Sequence, residues 1–279
     1  MKILIAGSAW HDDLINVCAY GFRELDHEVT VFNDAIKTNE QTIQKISNRL
    51  GITKIATLFE QKHREAISQK LEDAVNICRP DFIFVINGSI YPAATIARIR
   101  RKYRIPVAAY IIDDPLLLKD WLFDVSQYSA LFVIDKSWMG YLEYFVPGGV
   151  HYLPQVADHR AFYPTNISKK YDFCFGGTLS LRLPNAPSGF LRAQILNVLA
   201  EKKYKIKAFA PGIEEVFRYY PALRAIQYSN KYESHEALNM LYNESKITVS
   251  IHSPQFKHGI SPRVFEAAFA KSFQLVEYK

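Results

Sequence analysis

Short apolar runs alternate with longer segments of helical periodicity along almost the whole chain. Residues 2–6 (KILIA) predict a buried strand, and residues 13–25 return apolar or small side chains at helical spacing (Leu14, Val17, Cys18, Gly21, Leu25). A second strand is expected over 28–32. Helical spacing resumes over 39–50 and 61–78, with the piece between them unassigned. The run DFIFVIN at 81–87 follows Arg79 and Pro80 and is unbroken, the pattern of a strand buried on both faces. A helix over 92–102, a strand over 107–112 and strands at 130–134 and 150–153, separated by a helix near 137–145, complete this series.

The segment 154–170 then turns polar and loop-like, with Pro154, Pro164 and the pair Lys169 and Lys170. The alternation restarts beyond it: a strand over 171–175, a loop running from Gly176 and Gly177 through Pro184, Pro187 and Gly189, and a helix over 190–201. A strand at 205–210, a short helix at 213–219, a strand at 225–228, a helix at 235–243 and a strand at 246–251 follow. A helix over 262–270 and a strand over 273–276 end the series. Strands that alternate with helices require a parallel sheet with crossover connections. The expected fold class is therefore α/β, with two Rossmann-like doubly wound domains facing a cleft, residues 1–156 and residues 157–279.

Composition narrows the class. The chain has 279 residues, 49% of them apolar, enough for two cores and too apolar for wholesale disorder. Lysine and arginine number 34 against 28 acids, a formal charge of +6. The basic residues are scattered, which argues against a nucleic-acid groove and leaves an anionic ligand or a peripheral membrane contact open. Cys18, Cys78 and Cys174 are odd in number and far apart, so they are expected as buried small hydrophobes in a reducing compartment. The apolar run at the N-terminus is too short for a signal peptide, and no stretch reaches the roughly 18–20 apolar residues of a membrane span. A soluble, cytoplasmic protein is expected.

Ligands of open α/β sheets bind beyond the carboxyl ends of strands, often at a helix N-terminus. The most informative stretch of that kind is HGISPRVFE at 258–266. Ser261 suits an N-cap and Pro262 the first helical position, after a flexible Gly259. Arg263 can pair bidentately with phosphate, and Glu266, one turn on, can accept from ribose hydroxyls. The same spacing equally describes an exposed i,i+3 ion pair on an ordinary helix. In the first domain, Asp113 and Asp114 follow the strand 107–112. Either can serve as a general base on a hydroxyl; equally, one can cap a helix near 116–123 while the other is solvated. No G-x-S-x-G, no G-x-x-x-x-G-K-[ST] and no H-E-x-x-H occurs, and the loop after the first strand lacks G-x-G-x-x-G.

The run HGISPRVFEAAFAKSFQLVE resembles the nucleotide-sugar segment of the CgeB-like (spore maturation protein-like) glycosyltransferases, a family with the GT-B fold. RPDFIFVI, IPVAAYIIDDP, VHYLPQVADHRAFYP and DFCFGG extend the likeness over nearly the whole chain. The resemblance implies transfer of a sugar from a nucleoside-diphosphate sugar to a glycan, protein or small-molecule acceptor, with no cofactor and no metal. It implies that Arg263 meets the diphosphate, Glu266 the ribose, and Gly176 and Gly177 the phosphates or sugar. His252 and Ser261 join the expected donor side. His11 and Asp12, in the first loop, fall on the acceptor side, or Asp12 is a plain N-cap.

Three departures accompany the likeness. Many relatives carry a second glutamate eight positions before the ribose one, where this chain has His258. Ala270, Lys271 and Ser272 stand where the family has a Cys-Gly or similar small pair. Enzymes of this fold also continue past the final strand with further helices, which implies a C-terminal domain cut short at Lys279. A non-catalytic nucleotide-binding or assembly protein and a nucleotide-sugar epimerase are the alternative expectations.

Overall fold

The computed structural model of the protein describes residues 1–8, 14–36, 38–117, 125–146, 148–181 and 186–278. The chain divides into two units, Met1–Leu153 and Pro154–Lys279, each built on one fully parallel sheet.

In unit 1 the strands β1 (Lys2–Gly7), β2 (Glu28–Asn33), β3 (Phe82–Ile86), β4 (Val107–Ile111), β5 (Ala130–Val133) and β6 (Val150–Tyr152) pair in the order β2-β1-β3-β4-β5-β6. The most apolar runs take the middle of the sheet: every residue of β4 is buried, as are the last four of β3. Burying each large apolar side chain contributes about 1.5–3 kcal/mol, so these two strands anchor the unit. Helices α1 (Leu14–Glu24), α2 (Asn39–Arg49), α3 (Thr53–Cys78) and α4 (Ala93–Tyr103) connect successive strands, and a short α5 (Met139–Leu142) precedes β6. One helix is longer than its pattern predicts. α3 begins at Thr53 and runs 26 residues, absorbing the stretch that periodicity leaves unassigned. The reason is visible in its exposed first turns, where Ile55 and Leu58 face solvent and blur the apolar stripe. The helix expected near 137–145 is a 3-10 turn at Lys136–Trp138 followed by α5. Of the helix expected near 116–123, a 3-10 turn at Pro115–Leu117 is present and the remainder lies outside the described residues.

Unit 2 contains β7 (Tyr171–Gly176), β8 (Ile206–Phe209), β9 (Gln227–Ser229), β10 (Ser245–Ser250) and β11 (Phe273–Val276), ordered β11-β10-β7-β8-β9. Its helices are α6 (Ala186–Glu201), α7 (Ile213–Val216), α8 (His235–Asn243) and α9 (Pro262–Phe269). The central β7 divides two cores by simple alternation. Phe173 and Phe175 pack with Leu196, Ala208 and Ile213, and Cys174 packs with Phe162, Leu241, Tyr242 and Ala267. The polar segment after residue 154 is not free of this unit. Phe162 is buried in its second core, and the amides of Tyr163 and Thr165 donate to Asn239 Oδ1 (3.1 Å) and Asn243 Oδ1 (2.6 Å) on α8.

α6 starts at Ala186, earlier than expected, and takes in Pro187 and Gly189. Proline is tolerated in a first turn, and a Cβ at Gly189 would lie 2.4 Å from Ser180 O, so its glycine serves close packing rather than a loop. The cysteines also depart in part from expectation. Cys174 is buried, but Cys18 and Cys78 are only half-buried, and all three are free thiols.

Candidate functional site

The strand order in unit 2 reverses between β7 and β10: β8 and β9 extend one side of β7, β10 and β11 the other. Parallel sheets bind ligands beyond the carboxyl ends at such a reversal, and here those ends are Gly176 and Ser250. α9 runs back from the same edge. Ser261 is its N-cap, with Pro262 in the first turn and the Ser261 hydroxyl accepting from Arg263 N at 3.4 Å. The Ser261 N–H donates to His252 Nδ1 (3.1 Å), which ties the helix start to the end of β10. A ring nitrogen that accepts puts the imidazole proton on Nε2. His252 is 2% exposed, and its backbone N–H donates to Glu277 Oε2 at 3.0 Å, just past β11.

The first turn of α9 offers an anion fewer amides than its sequence suggests. Pro262 has none, Arg263 N is capped by Ser261 Oγ, and Val264 N donates to Ser261 O (3.1 Å). Side chains therefore carry more of any anion contact. Arg263 Nη1 donates to both carboxylate oxygens of Glu266, at 2.9 and 2.8 Å. This is the i,i+3 pair that spacing allows, but it is not an exposed one: Glu266 is 4% exposed and its Oε2 also accepts from the buried Tyr242 hydroxyl at 2.8 Å. A carboxylate has about four acceptor sites, and these bonds occupy three, leaving capacity on Oε1. Burial, and then the carboxylate beside it, raises the pKa of the Tyr242 phenol, so it stays a donor.

Arg192, on α6, is the residue that the sequence reading missed. Its Nε and Nη2 donate to Ile251 O (3.2 and 3.1 Å) and its Nη1 to Thr178 O (3.1 Å). One side chain thus ties the loop after β7 to the end of β10, the two carboxyl ends at the reversal. Burial lowers its pKa to about 10, still far above neutrality, so the guanidinium keeps its charge. Its bonded partners among the described residues are neutral carbonyls. Its signal in the sequence was weak, an arginine within an apolar helix.

Gly176 and Gly177 lie in this wall with half-buried backbones. A Cβ at Gly176 would meet Leu238 at 3.0 Å, and one at Gly177 would meet the Phe175 ring at 2.9 Å, so both are kept by close packing. Among the described glycines of unit 2, the one held by backbone conformation is Gly212, at φ +87 with Ser180 backbone atoms 2.6 Å from where a Cβ would be. Gly259 is buried and His258 exposed in the loop that precedes α9.

In unit 1 the order reverses between β1 and β3. Asp113 and Asp114 follow β4. Asp114 Oδ1 accepts from Leu116 N (3.0 Å) and the Tyr141 hydroxyl (3.2 Å), so it caps the 3-10 turn. Asp113 Oδ2 accepts from Asn87 Nδ2 (3.2 Å), and Asn87, just past β3, is held at φ 64. Strand-end reasoning also passed over a group at the far side of the same sheet. Asp34, directly after β2, is 4% exposed and accepts from Ser8 Oγ (2.5 Å) and the Tyr91 hydroxyl (2.9 Å). Burial raises its pKa, against those two donors. His11 and Asp12 lie outside the described residues.

Among the described residues no group of three His, Cys, Asp or Glu side chains could hold a metal ion, and no helix is long and apolar enough to cross a membrane.

No protein-family model matches the sequence, and no curated protein matches it. Solved structures do. Sucrose-phosphate synthase from Thermosynechococcus elongatus superposes over 99% of this chain and 81% of its own, with TM-score 0.69 at 10% identity. The lipopolysaccharide outer core galactosyltransferase WaaB in its apo form matches over 99% and 80%, with TM-score 0.55 at 14% identity. A UDP-GlcNAc 2-epimerase from Neisseria meningitidis, bound to UDP-GlcNAc, matches over 90% and 77%, with TM-score 0.53 at 13% identity. Likeness at such identities reports the fold, and two parallel-sheet units with these strand orders agree with it. The chain has the α/β fold shared by GT-B glycosyltransferases and UDP-GlcNAc 2-epimerases.

Proposed function

We propose that this protein is a glycosyltransferase of the CgeB-like type that moves a sugar from a nucleoside-diphosphate sugar to an acceptor hydroxyl. The observation that carries the reading is the constellation at the switch point of unit 2. The capped start of α9 is locked to β10 through His252, Arg263 stands beside it, and the buried guanidinium of Arg192 bridges the two strand ends. In this reading Arg263 meets the donor diphosphate and stabilises the charge that develops as the glycosidic C–O bond breaks. Glu266, oriented by Tyr242, accepts from the ribose through its remaining Oε1 capacity. Gly176 and Gly177 let the loop backbone approach the donor, and His258 and Gly259 border the same site.

The acceptor binds unit 1 beyond the carboxyl ends of its strands. Asp114 is committed to its turn and to Tyr141, so the base role falls to Asp113, which takes the proton of the attacking hydroxyl. The reaction needs no cofactor and no metal, and the protein works in the cytoplasm.

Thermal stabilisation by a panel of nucleoside diphosphates and their sugars tests the donor site, because a ligand that binds only the native state raises its apparent stability. One nucleotide is expected to shift the transition, and Arg263→Ala to abolish that shift. An Arg263→Ala protein with unaltered nucleotide affinity would overturn the assignment. The fold shared with UDP-GlcNAc 2-epimerases supports a second reading, sugar epimerisation, and product analysis with a cognate nucleotide sugar separates the two.

A further inference from the structure

The opposite edge of unit 1 carries a feature that sugar transfer does not use. Where α4 ends and β4 and β5 begin, a surface depression of about 590 Å³ is lined by Arg100, Arg101, Arg104, Pro106, Gln127 and Ser129 together with two apolar side chains. It lies by the amino ends of the strands, since Pro106 precedes β4 and Ser129 precedes β5, whereas Asp113 lies beyond the carboxyl end of β4.

The cations of α4 divide into two sets. Arg98 and Lys102 point to the buried Glu72 of α3 and are neutralised there, at 2.8 and 3.0 Å. Arg100, Arg101 and Arg104 have no carboxylate partner among the described residues. Arg100 donates to Gln127 O (2.6 Å) and Arg101 to Ala97 O within the helix (3.3 Å). The helix C-terminus accounts for only part of this charge. Its dipole is worth about half a negative charge, against three full guanidinium charges around one concavity. A volume of this size is within the range of small-molecule sites, and guanidinium groups pair bidentately with phosphate oxygens. Arg100 is half-buried and anchored by Gln127, so one donor is already oriented while Arg101 and Arg104 are exposed and free to close on a ligand.

We infer that this depression is a second anion site, separate from the donor site, which takes a ligand bearing an anionic phosphate group. That group comes either from a free phosphorylated small molecule or from the headgroup of an anionic lipid.

The test is calorimetric titration of inorganic tripolyphosphate at low salt into the Arg263→Ala protein, so that the candidate donor site does not contribute, alongside sedimentation with vesicles of phosphatidylglycerol and of phosphatidylcholine. Saturable tripolyphosphate binding that Arg101→Glu/Arg104→Glu weakens by roughly tenfold or more is expected, since two charge-assisted contacts are lost. Arg101→Gln/Arg104→Gln should weaken it less, and both variants change only exposed side chains. If the charge reversal also abolishes sedimentation with phosphatidylglycerol vesicles, the source is a lipid headgroup; if vesicles never bind, it is a free anion. Parent protein that binds neither probe, or reversed protein that binds them as tightly as the parent, overturns the inference.

Discussion

Replacing Tyr242 by Phe removes one oxygen atom from the buried support of Glu266. Tyr242 is 0% exposed and Glu266 4%, and the hydroxyl donates to Oε2 at 2.8 Å. The phenyl ring still fits, packed on Phe162 with centroids 6.0 Å apart, so no cavity of consequence forms. The carboxylate oxygen, by contrast, loses one of its two donors in a site where Glu266 and the ring are both buried. A hydrogen bond to a charged group is worth about 1.5–3 kcal/mol, and leaving a buried charged acceptor short of a donor costs in the same range. For a unit of this size that corresponds to roughly 5–12 °C in its thermal transition. Calorimetry of the purified variant reads the shift directly. A second readout separates stability from function: with Glu266 held by Arg263 alone, the stabilisation by the cognate nucleoside diphosphate should shrink as well. A transition within about 1 °C of the parent would refute the reasoning, because so small a change is below the least cost of a lost charged hydrogen bond.

Other outcomes follow from the same geometry. Arg192→Gln should release Thr178 and Ile251 and weaken nucleoside-diphosphate binding, with Arg192→Lys intermediate; titration of the nucleotide measures both. Gly189→Ala should destabilise unit 2 by about 1–3 kcal/mol, because its Cβ would press on Ser180 O, while Gly21→Ala, with nothing within 4 Å in mid-α1, should stabilise by about 0.5–1 kcal/mol. Chemical denaturation checks that pair. The Lys170 ammonium and then Lys207 hold the Glu244 carboxyl below its usual 4.5, so its contribution is present above that pH and lost as pH falls through the lowered native value. Glu244→Gln should flatten that part of the acid limb of a stability–pH curve. An unchanged acid limb would show that the two lysines do not act on it.

The layers were legible because both sheets are parallel and their inner strands are covered on both faces, so FIFVI and VAAYI stand out as unbroken apolar runs and FCF, after Asp172, as a shorter one. The start of α9 was legible for a different reason: Ser261 and Pro262 are local signals that need no tertiary context. What escaped was set by contacts distant in sequence. Nothing near Glu266 announces that Tyr242, 24 positions earlier, supports it. Arg192 looks like any arginine in a helix until α6 packs it against Ile251, 59 positions away. Asp34 sits directly after a strand, as a site residue should, yet its distinguishing property is its burial beneath Tyr91, 57 positions on. α3 escaped in part because exposed Ile55 and Leu58 break the amphipathic rule on which periodicity depends.

The parallel pairing of both sheets also bears on how the chain comes to fold as it is made. β1 lies at the reversal of unit 1, and Ile3 pairs with Phe82, so the strand made first waits for residues 79 positions later before its second edge is covered. In unit 2 the wait is repeated, with Tyr171 paired to Ser245. At the usual pace of synthesis an interval of that length lasts about 4–16 s, during which KILIA and YDFCF are apolar strands with one bare edge. Among the described residues every strand pairing is parallel, so no hairpin offers a quick local partner, and non-local parallel pairing is intrinsically slow. The nascent chain is therefore most exposed to misassembly in two separate windows, and holding factors that bind extended apolar segments would matter most just before β3 and just before β10 emerge.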